Sequence, residues 1–303
     1  MSRRSVVVGA AVVLALLGSA GPAAARTLPV LYNGLAGYAH VSPAASPPGA
    51  NDWGCKPTRA HPRPVVLVHG TFADMSDSWQ ALSPLLFDHG YCVFALNYGS
   101  YRGSNRLGID ATGPIATSAR QLSKFVDRVM SATHAPQVDL VGHSQGGMMP
   151  RYYLRFLGGA AKVHTLVGLA PSNHGTTLNG FLRLAKAFPG AGALVGSLCP
   201  ACREQERGSS FLRGLNAGAD TVASVHYTVI QSRNDEVVTP YNSAFLSGPD
   251  VTNITLQSQC RLDQGEHLSM PYDHIADADV LSALDPAHPL KPRCTPVLPV
   301  LGG

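Results

Sequence analysis

Three observations in the 303-residue sequence predict an α/β protein built on a doubly wound, mostly parallel sheet. Short apolar runs of strand length recur along the chain, and they alternate with stretches of helical periodicity. The third such run leads directly into a glycine-rich turn, Gly142-His143-Ser144-Gln145-Gly146, of the G-x-S-x-G type. A parallel strand is buried on both faces and reads as an unbroken apolar run, which describes Val65-Val66-Leu67-Val68 between Pro64 and His69-Gly70.

The elements follow in order. Residues 26–63 are rich in Pro, Ala, Gly and Ser and predict an extended N-terminal arm rather than a layer of the fold. Trp79, Leu82, Leu85 and Leu86 recur at helical spacing behind Asp77 as N-cap, and Cys92 to Leu96 is the next strand. Leu122, Phe125, Val126, Val129 and Met130 mark one face of an amphipathic helix, and Val138 to Val141 is the strand that enters the turn. Further strands are expected at Val163 to Leu169, Val225 to Gln231 and Ile254 to Gln257. The rhythm breaks over about residues 172–222, where no strand is evident but Phe181, Leu182, Leu184, Ala185, Phe188 and a small-apolar run from Ala191 to Leu198 occur. An insertion of that length is read as a cap over the crevice, the alternative being an ordinary pair of surface helices. The main domain is expected to run over 64–295, followed by a short tail at 296–303.

Composition narrows the setting. With 45% apolar residues the chain can bury a sizeable core. Arg3-Arg4, the apolar run from Val6 to Leu17 and Ala23-Ala24-Ala25 predict an export signal over residues 1–25, too short for a stable membrane span. The general secretory route fits it best, with a twin-arginine route as the alternative. Without that segment 21 basic side chains face 19 acidic ones and no Lys/Arg run remains, so a nucleic-acid partner is not expected. Six cysteines in an exported chain suggest three disulfides. Sequence does not fix their pairing; neighbours in the chain give Cys55–Cys92, Cys199–Cys202 and Cys260–Cys294. A zinc site at Cys199-Pro-Ala-Cys202 would need a second ligand pair that the chain does not show, so no metal is expected.

A nucleophile elbow holds its serine in a strained conformation and needs small residues two positions to either side, where Gly142 and Gly146 stand. Ser144 is therefore the predicted nucleophile. A serine needs a base and an acid that orients it, expected downstream in the order Ser, Asp or Glu, His. Asp235, just past a strand, is preferred to Glu236, whose longer side chain should face outward. His267 is preferred as base to His274, which suits a helix start beside Asp273, and His174 precedes the acid in chain order. The oxyanion donors are then Gln145, through its N–H, and Thr71 in the loop after the first strand, able to donate through its N–H and its hydroxyl. Met148, Phe181, Leu184 and Phe188 are the expected walls of an acyl site.

Taken together, Val68-His69-Gly70-Thr71, Gly142 to Gly147, Asn234-Asp235-Glu236-Val237-Val238 and Glu266-His267 resemble the secreted class 2 lipases of actinobacteria, related to Bacillus lipase A and, more distantly, to Candida antarctica lipase B. The resemblance covers about residues 51–295, and Cys260 with Cys294 looks like the disulfide around the histidine in the yeast enzyme. It implies an α/β-hydrolase fold with a cap insertion, and hydrolysis of triacylglycerols or other carboxylic esters through an acyl-enzyme without a cofactor. The partner implied is an ester or lipid substrate, met at an oil–water interface. The minimal Bacillus enzyme lacks a cap, so its chain-length preference does not carry over, and nothing supports transfer of the calcium site of the larger Pseudomonas-type lipases. A short-chain or polyester esterase, an extracellular acyltransferase with the same triad, and an inactive lipid-binding module are the alternatives.

Overall fold

A computed structural model of the chain describes residues 27–39, 42, 45–188 and 199–303; the expected export signal and the run Ala191–Leu198 lie outside these. Six strands, β1 (Val65–Val68), β2 (Val93–Leu96), β3 (Val138–His143), β4 (Val163–Leu169), β5 (His226–Gln231) and β6 (Val251–Thr255), pair in parallel in the order β2-β1-β3-β4-β5-β6. The helices are α1 (Gly34–Tyr38), α2 (Met75–Ser78), α3 (Leu82–Asp88), α4 (Ile115–Thr133), α5 (Gln145–Phe156), α6 (Leu178–Ala187), α7 (Pro200–Glu204), α8 (Ser210–Leu215), α9 (Leu256–Gln259) and α10 (His274–Leu284).

Alternation along the strands divides the core into two layers. Val66 and Val68 face Leu122, Val126 and Val129 of α4 and Met148 and Tyr153 of α5. Val65 and Leu67 face the other way, onto Trp79, Leu82 and Leu86 beside α3 and Ile275 and Val280 of α10. The chain runs from β1 outward to β2 and then crosses back to β3 on the other side of β1. The order therefore reverses between β1 and β3, and open α/β sheets place their crevices at the carboxyl ends of such a pair. The loops that leave β1 and β3 carry Thr71 and Ser144.

Two expectations are corrected. Asp77 is not an N-cap: Asp74 caps α2, accepting from the N–H groups of Ser76 and Asp77, and Asp77 returns the bond as the third residue of a capping box. The helix that carries Leu82, Leu85 and Leu86 begins later, with Ala81 before it. The last strand covers Val251–Thr255 rather than Ile254 to Gln257, because its partner β5 ends at Gln231, opposite Thr255. Leu256, which supplied the apolar signal, is buried in α9 instead.

The insertion after β4 is helical in its described parts. Phe181, Leu184 and Ala185 of α6 join the α4/α5 core layer, whereas Leu182 is exposed. Gly180 passes the acid loop so closely that a Cβ would lie 2.2 Å from the Val237 carbonyl oxygen. The N-terminal arm is also docked. Trp53 packs on Phe94 and Phe125 under the Arg128 guanidinium, and Cys55 joins Cys92 beside β2. The other two bridges are Cys199–Cys202 and Cys260–Cys294, and among the described residues no cysteine is free.

Candidate active site

Ser144 adopts φ 55°, ψ −120°, a conformation that side chains rarely tolerate, between the end of β3 and the start of α5. Two glycines make the turn possible. A Cβ on Gly142 would meet the Gly146 carbonyl oxygen at 1.9 Å, and one on Gly146 would meet that of Val68 at 2.0 Å. The strained turn lifts the hydroxyl off the sheet towards His267, whose Nε2 lies 3.0 Å from Ser144 Oγ. On the far side of the ring Nδ1 lies 2.9 Å from Asp235 Oδ2. The other carboxylate oxygen, Oδ1, accepts from the N–H groups of Val237 and Val238, both at 2.8 Å, which fixes the carboxylate plane. Ser144, His267 and Asp235 are all buried, with His267 fully so.

Burial opposes a charge on His267, but the nearby Asp235 carboxylate, its hydrogen bond and the charges of Glu236 and Glu266 outweigh it, so the imidazole pKa is raised. The ring is thus a ready proton acceptor. His143, which packs against it, is the opposite case: burial first, then the neighbouring His267, hold its pKa well below 6.5, so it is neutral and its Nε2–H donates to the His267 carbonyl. Burial likewise lowers His69 to about 4; its Nδ1–H donates to the Gly70 carbonyl while Tyr98 stacks on the ring and bonds the His69 carbonyl.

Gln145 is the first residue of α5, directly after Ser144, so its N–H has no partner within the helix. Thr71 stands next to Gly70, whose Cβ position is 3.1 Å from Ser144 Cβ, and its Oγ1 meets the Gln145 side chain at 2.8 Å. Thr71 and Gln145, the two residues expected to stabilise an oxyanion, thus both stand in the segments that flank Ser144. A serine, base, acid and donors so arranged can transfer an acyl group. Among the described residues no cluster of three His, Cys, Asp or Glu side chains suits a metal ion, and no helix is long and apolar enough to cross a membrane.

The chain matches the family model described as Lipase (class 2) over residues 62–277. It belongs to the class 2 lipase family. Relatives within curated proteins include a triacylglycerol lipase of Burkholderia plantarii, 36% identical over 123 residues that cover 39% of this chain and 31% of that protein. A triacylglycerol lipase of Pseudarthrobacter phenanthrenivorans is 36% identical over 94 residues, covering 29% of this chain and 27% of the relative. The chain thus spans about a third or less of the length of these two relatives. Among solved structures, Aspergillus fumigatus lipase B superposes with a TM-score of 0.57 at 20% identity, over 82% of this chain and 57% of that one. The mature Bacillus licheniformis lipase BlEst2 does so with a TM-score of 0.54 at 15% identity, over 75% and 94%. With the parallel sheet, they establish the α/β-hydrolase fold.

Other parts of the site depart from the sequence reading. Glu236 does not face outward: it is half-buried near Glu266 and His267, and burial followed by the Glu266 charge pushes its carboxyl up to about 7. The loop that brings Asp235 to His267 keeps the next residue close enough to feel the charges of both His267 and Glu266. Met148 is fully buried, and Phe181 and Leu184 nearly so, which leaves them without a free face for an acyl chain in this conformation. Phe188 is half-buried, edge-on to Tyr38 and against Phe72 beside Thr71. His274 begins α10, where it bonds the carbonyls of Gly303 and Arg293, and His174 bonds Asp220 and the Ser243 carbonyl. A cavity of about 610 Å³ beside His164, His226 and Asp250 opens at the amino ends of β4–β6, at the opposite end of the sheet from Ser144.

Several supporting residues have no sequence signal of their own. Arg151, one helical face along from Ser144 on α5, is buried and bonds Asn173, Asn216 and the Asp220 carbonyl, tying the insertion to the elbow helix. Its position inside an otherwise buried helix face was the available hint. Gln205 bonds Thr71 Oγ1 from within the insertion, and nothing in its local sequence marks it.

Proposed function

We propose that this chain is an exported serine hydrolase that cleaves carboxylic esters, lipid esters foremost, through a Ser144–His267–Asp235 acyl-enzyme mechanism. The observation that carries this reading is the unbroken line from Asp235 Oδ2 through His267 to Ser144 Oγ, at 2.9 and 3.0 Å, ending on a serine in an elbow conformation. His267 takes the serine proton as Ser144 attacks the ester carbonyl, and returns it to the departing alcohol. Asp235 orients the ring and stabilises the imidazolium. The N–H groups of Thr71 and Gln145 hold the oxyanion, and water then repeats the sequence on the acyl-enzyme.

Membership of the lipase family and the two triacylglycerol lipase relatives support lipid esters, presented at an oil–water interface, as substrates. Three disulfides support an oxidising, extracellular destination, with residues 1–25 as export signal, 26–63 as arm, 64–295 as the hydrolase domain bearing the cap at about 172–222, and 296–303 as tail. One observation favours a second reading, a short-chain or polyester esterase: Met148, Phe181 and Leu184 offer almost no surface to a long acyl chain.

Hydrolysis of p-nitrophenyl esters of graded chain length, with an emulsified triglyceride alongside and Ser144→Ala as control, tests both. Activity that rises with chain length and persists on the emulsion supports a lipase. Activity confined to the shortest esters selects the second reading, and full activity of Ser144→Ala on every ester would refute the nucleophile.

A further inference from the structure

Thr71 Oγ1 receives two hydrogen bonds from side-chain amides, one from Gln145 Nε2 at 2.8 Å and one from Gln205 Nε2 at 3.0 Å. The orientation of both amides is fixed by carbonyl groups, which can only accept. Gln145 Nε2 also donates to the Ala111 carbonyl at 2.7 Å, and Gln205 Nε2 to that of Ala201 at 3.2 Å. Gln205 Oε1 in turn accepts from Ser172 Oγ at 2.7 Å. Each NH₂ group therefore spends one hydrogen on a carbonyl and one on Thr71.

A hydroxyl oxygen has two lone pairs and one hydrogen. Both lone pairs of Thr71 are occupied by N–H donors, so its hydrogen can point at neither amide. Among the described residues none accepts it. Thr71 is buried and follows Gly70, whose Cβ position is 3.1 Å from Ser144 Cβ, so this unclaimed hydrogen belongs to a side chain in the loop beside the nucleophile.

We propose that Gln205, supplied by the insertion, is a positioning residue that with the Gln145 side chain locks the Thr71 hydroxyl as a third oxyanion donor. This rests on the reading of Thr71 as part of the oxyanion hole. Gln205 is well held for such a role. Its N–H donates to the Ala201 carbonyl, its own carbonyl accepts from Thr176 N–H, and it closes α7, whose head is stapled by Cys199–Cys202. The N–H of Ala201 bonds the Thr112 carbonyl, next to the Ala111 carbonyl that orients Gln145. The insertion thereby reaches the reacting atoms through one hydroxyl rather than through an apolar wall, and a donor fixed before reaction needs no reorganisation when charge develops.

The test replaces the donor by an acceptor of the same size. In Gln205→Glu the carboxylate accepts from Thr71 and turns its hydrogen away from the oxyanion. On a soluble p-nitrophenyl ester, kcat should fall at least tenfold with KM within about twofold, approaching the roughly hundredfold loss expected for Thr71→Val. Affinity for an alkyl boronic acid, which forms a tetrahedral adduct, should weaken in proportion to kcat. In the Thr71→Val background Gln205→Glu should cost nothing further, because no hydroxyl remains to turn. Gln205→Met, which keeps the length and removes the donor, covers the case in which the carboxylate variant does not fold: a smaller kcat loss, again absent beside Thr71→Val. Thermal melting and active-site titration count only folded enzyme. Losses that multiply in the double variants, or an unchanged kcat in Gln205→Glu, would overturn the role of Gln205 and leave the triad intact. An unchanged kcat in Thr71→Val would instead remove Thr71 from the oxyanion hole.

Discussion

Replacing Asp235 by asparagine tests the proposed relay sharply, because its surroundings dictate how the new amide must face. Oδ1 accepts from two backbone N–H groups at 2.8 Å, and Oδ2 faces His267 Nδ1 at 2.9 Å. An amide oxygen can meet the two N–H groups and an NH₂ cannot, so the oxygen must take the Oδ1 position and the NH₂ the Oδ2 position. That NH₂ then donates to Nδ1, and the ring proton moves to Nε2, the atom 3.0 Å from Ser144 Oγ. A neutral ring protonated at Nε2 cannot accept the serine proton. A wrong tautomer in otherwise intact geometry costs about 10⁴-fold in kcat, equivalent to about 5.4 kcal/mol of barrier, with little change in KM. The assay is steady-state hydrolysis of a soluble p-nitrophenyl ester, with active-site titration and a thermal melt to show that the fold survives. A variant that keeps a tenth or more of wild-type kcat would refute the assignment of Asp235, and Glu236 would become the acid to remove next.

Three further outcomes follow from the same geometry. The base must be neutral and its pKa is raised, so kcat/KM should fall as pH drops through a midpoint above 6.5; Glu236→Gln, which removes one of the raising charges, should move that midpoint down in a pH–rate profile. The sign for stability is the reverse: the charged ring is favoured in the fold, so its contribution is full at low pH and is lost as pH rises through the folded-state value. Asp277 is fully buried, and burial, then Asp273, raise its carboxyl pKa well above the ordinary value. The fold therefore holds a proton there that the unfolded chain releases, and Asp277→Asn should raise the melting temperature more at alkaline than at mildly acidic pH; equal shifts at both would contradict the burial argument. Gly146→Ala would force a Cβ to within 2.0 and 2.4 Å of the carbonyl oxygens of Val68 and His69. It should destabilise by about 3 kcal/mol or more in urea titration and lower kcat, and a variant of wild-type stability would show that the elbow is less tight than described.

What the sequence makes legible is what local rules control. The all-apolar run Val65–Val68 is a strand because both its faces are buried, and Gly142 and Gly146 flag the elbow because a Cβ at either would strike backbone. The order of Ser144, Asp235 and His267 along the chain leads to three side chains that the fold brings within hydrogen-bonding distance. Contacts set by distant chain were hidden. Nothing near Glu236 announces that the fold half-buries it within reach of the charges of His267 and Glu266. The end of the last strand depends on where its partner stops, which the apolar pattern of Ile254 and Leu256 cannot convey. The apolar residues of the insertion read equally well as a substrate wall or as core, and burial of Phe181 and Leu184 decides for core in this conformation. Gln205 was invisible because a lone glutamine has no pattern.

The segment that bears His267 has almost no regular structure of its own, yet its geometry must be held closely if the base is to sit 3.0 Å from the nucleophile. Its order comes from outside. Tyr38 of the arm donates to the Leu268 carbonyl, and His143 donates to that of His267. Glu266 accepts from the N–H groups of Leu268 and Ser269 within the segment and from that of Val300 in the tail, while Gln264 donates to the Val297 carbonyl. Cys260–Cys294 closes a loop of 34 residues around α10, a constraint worth roughly 3–4 kcal/mol in the chain-entropy view, and fastens the tail to the start of the segment. The arm and the tail, which the sequence reading treats as peripheral, therefore share the work of placing the base. Removing the last residues should weaken catalysis before it unfolds the sheet, because the hydrogen bonds that the tail makes end on Gly34, Gln264, Glu266, Tyr272 and His274 and not on the strands.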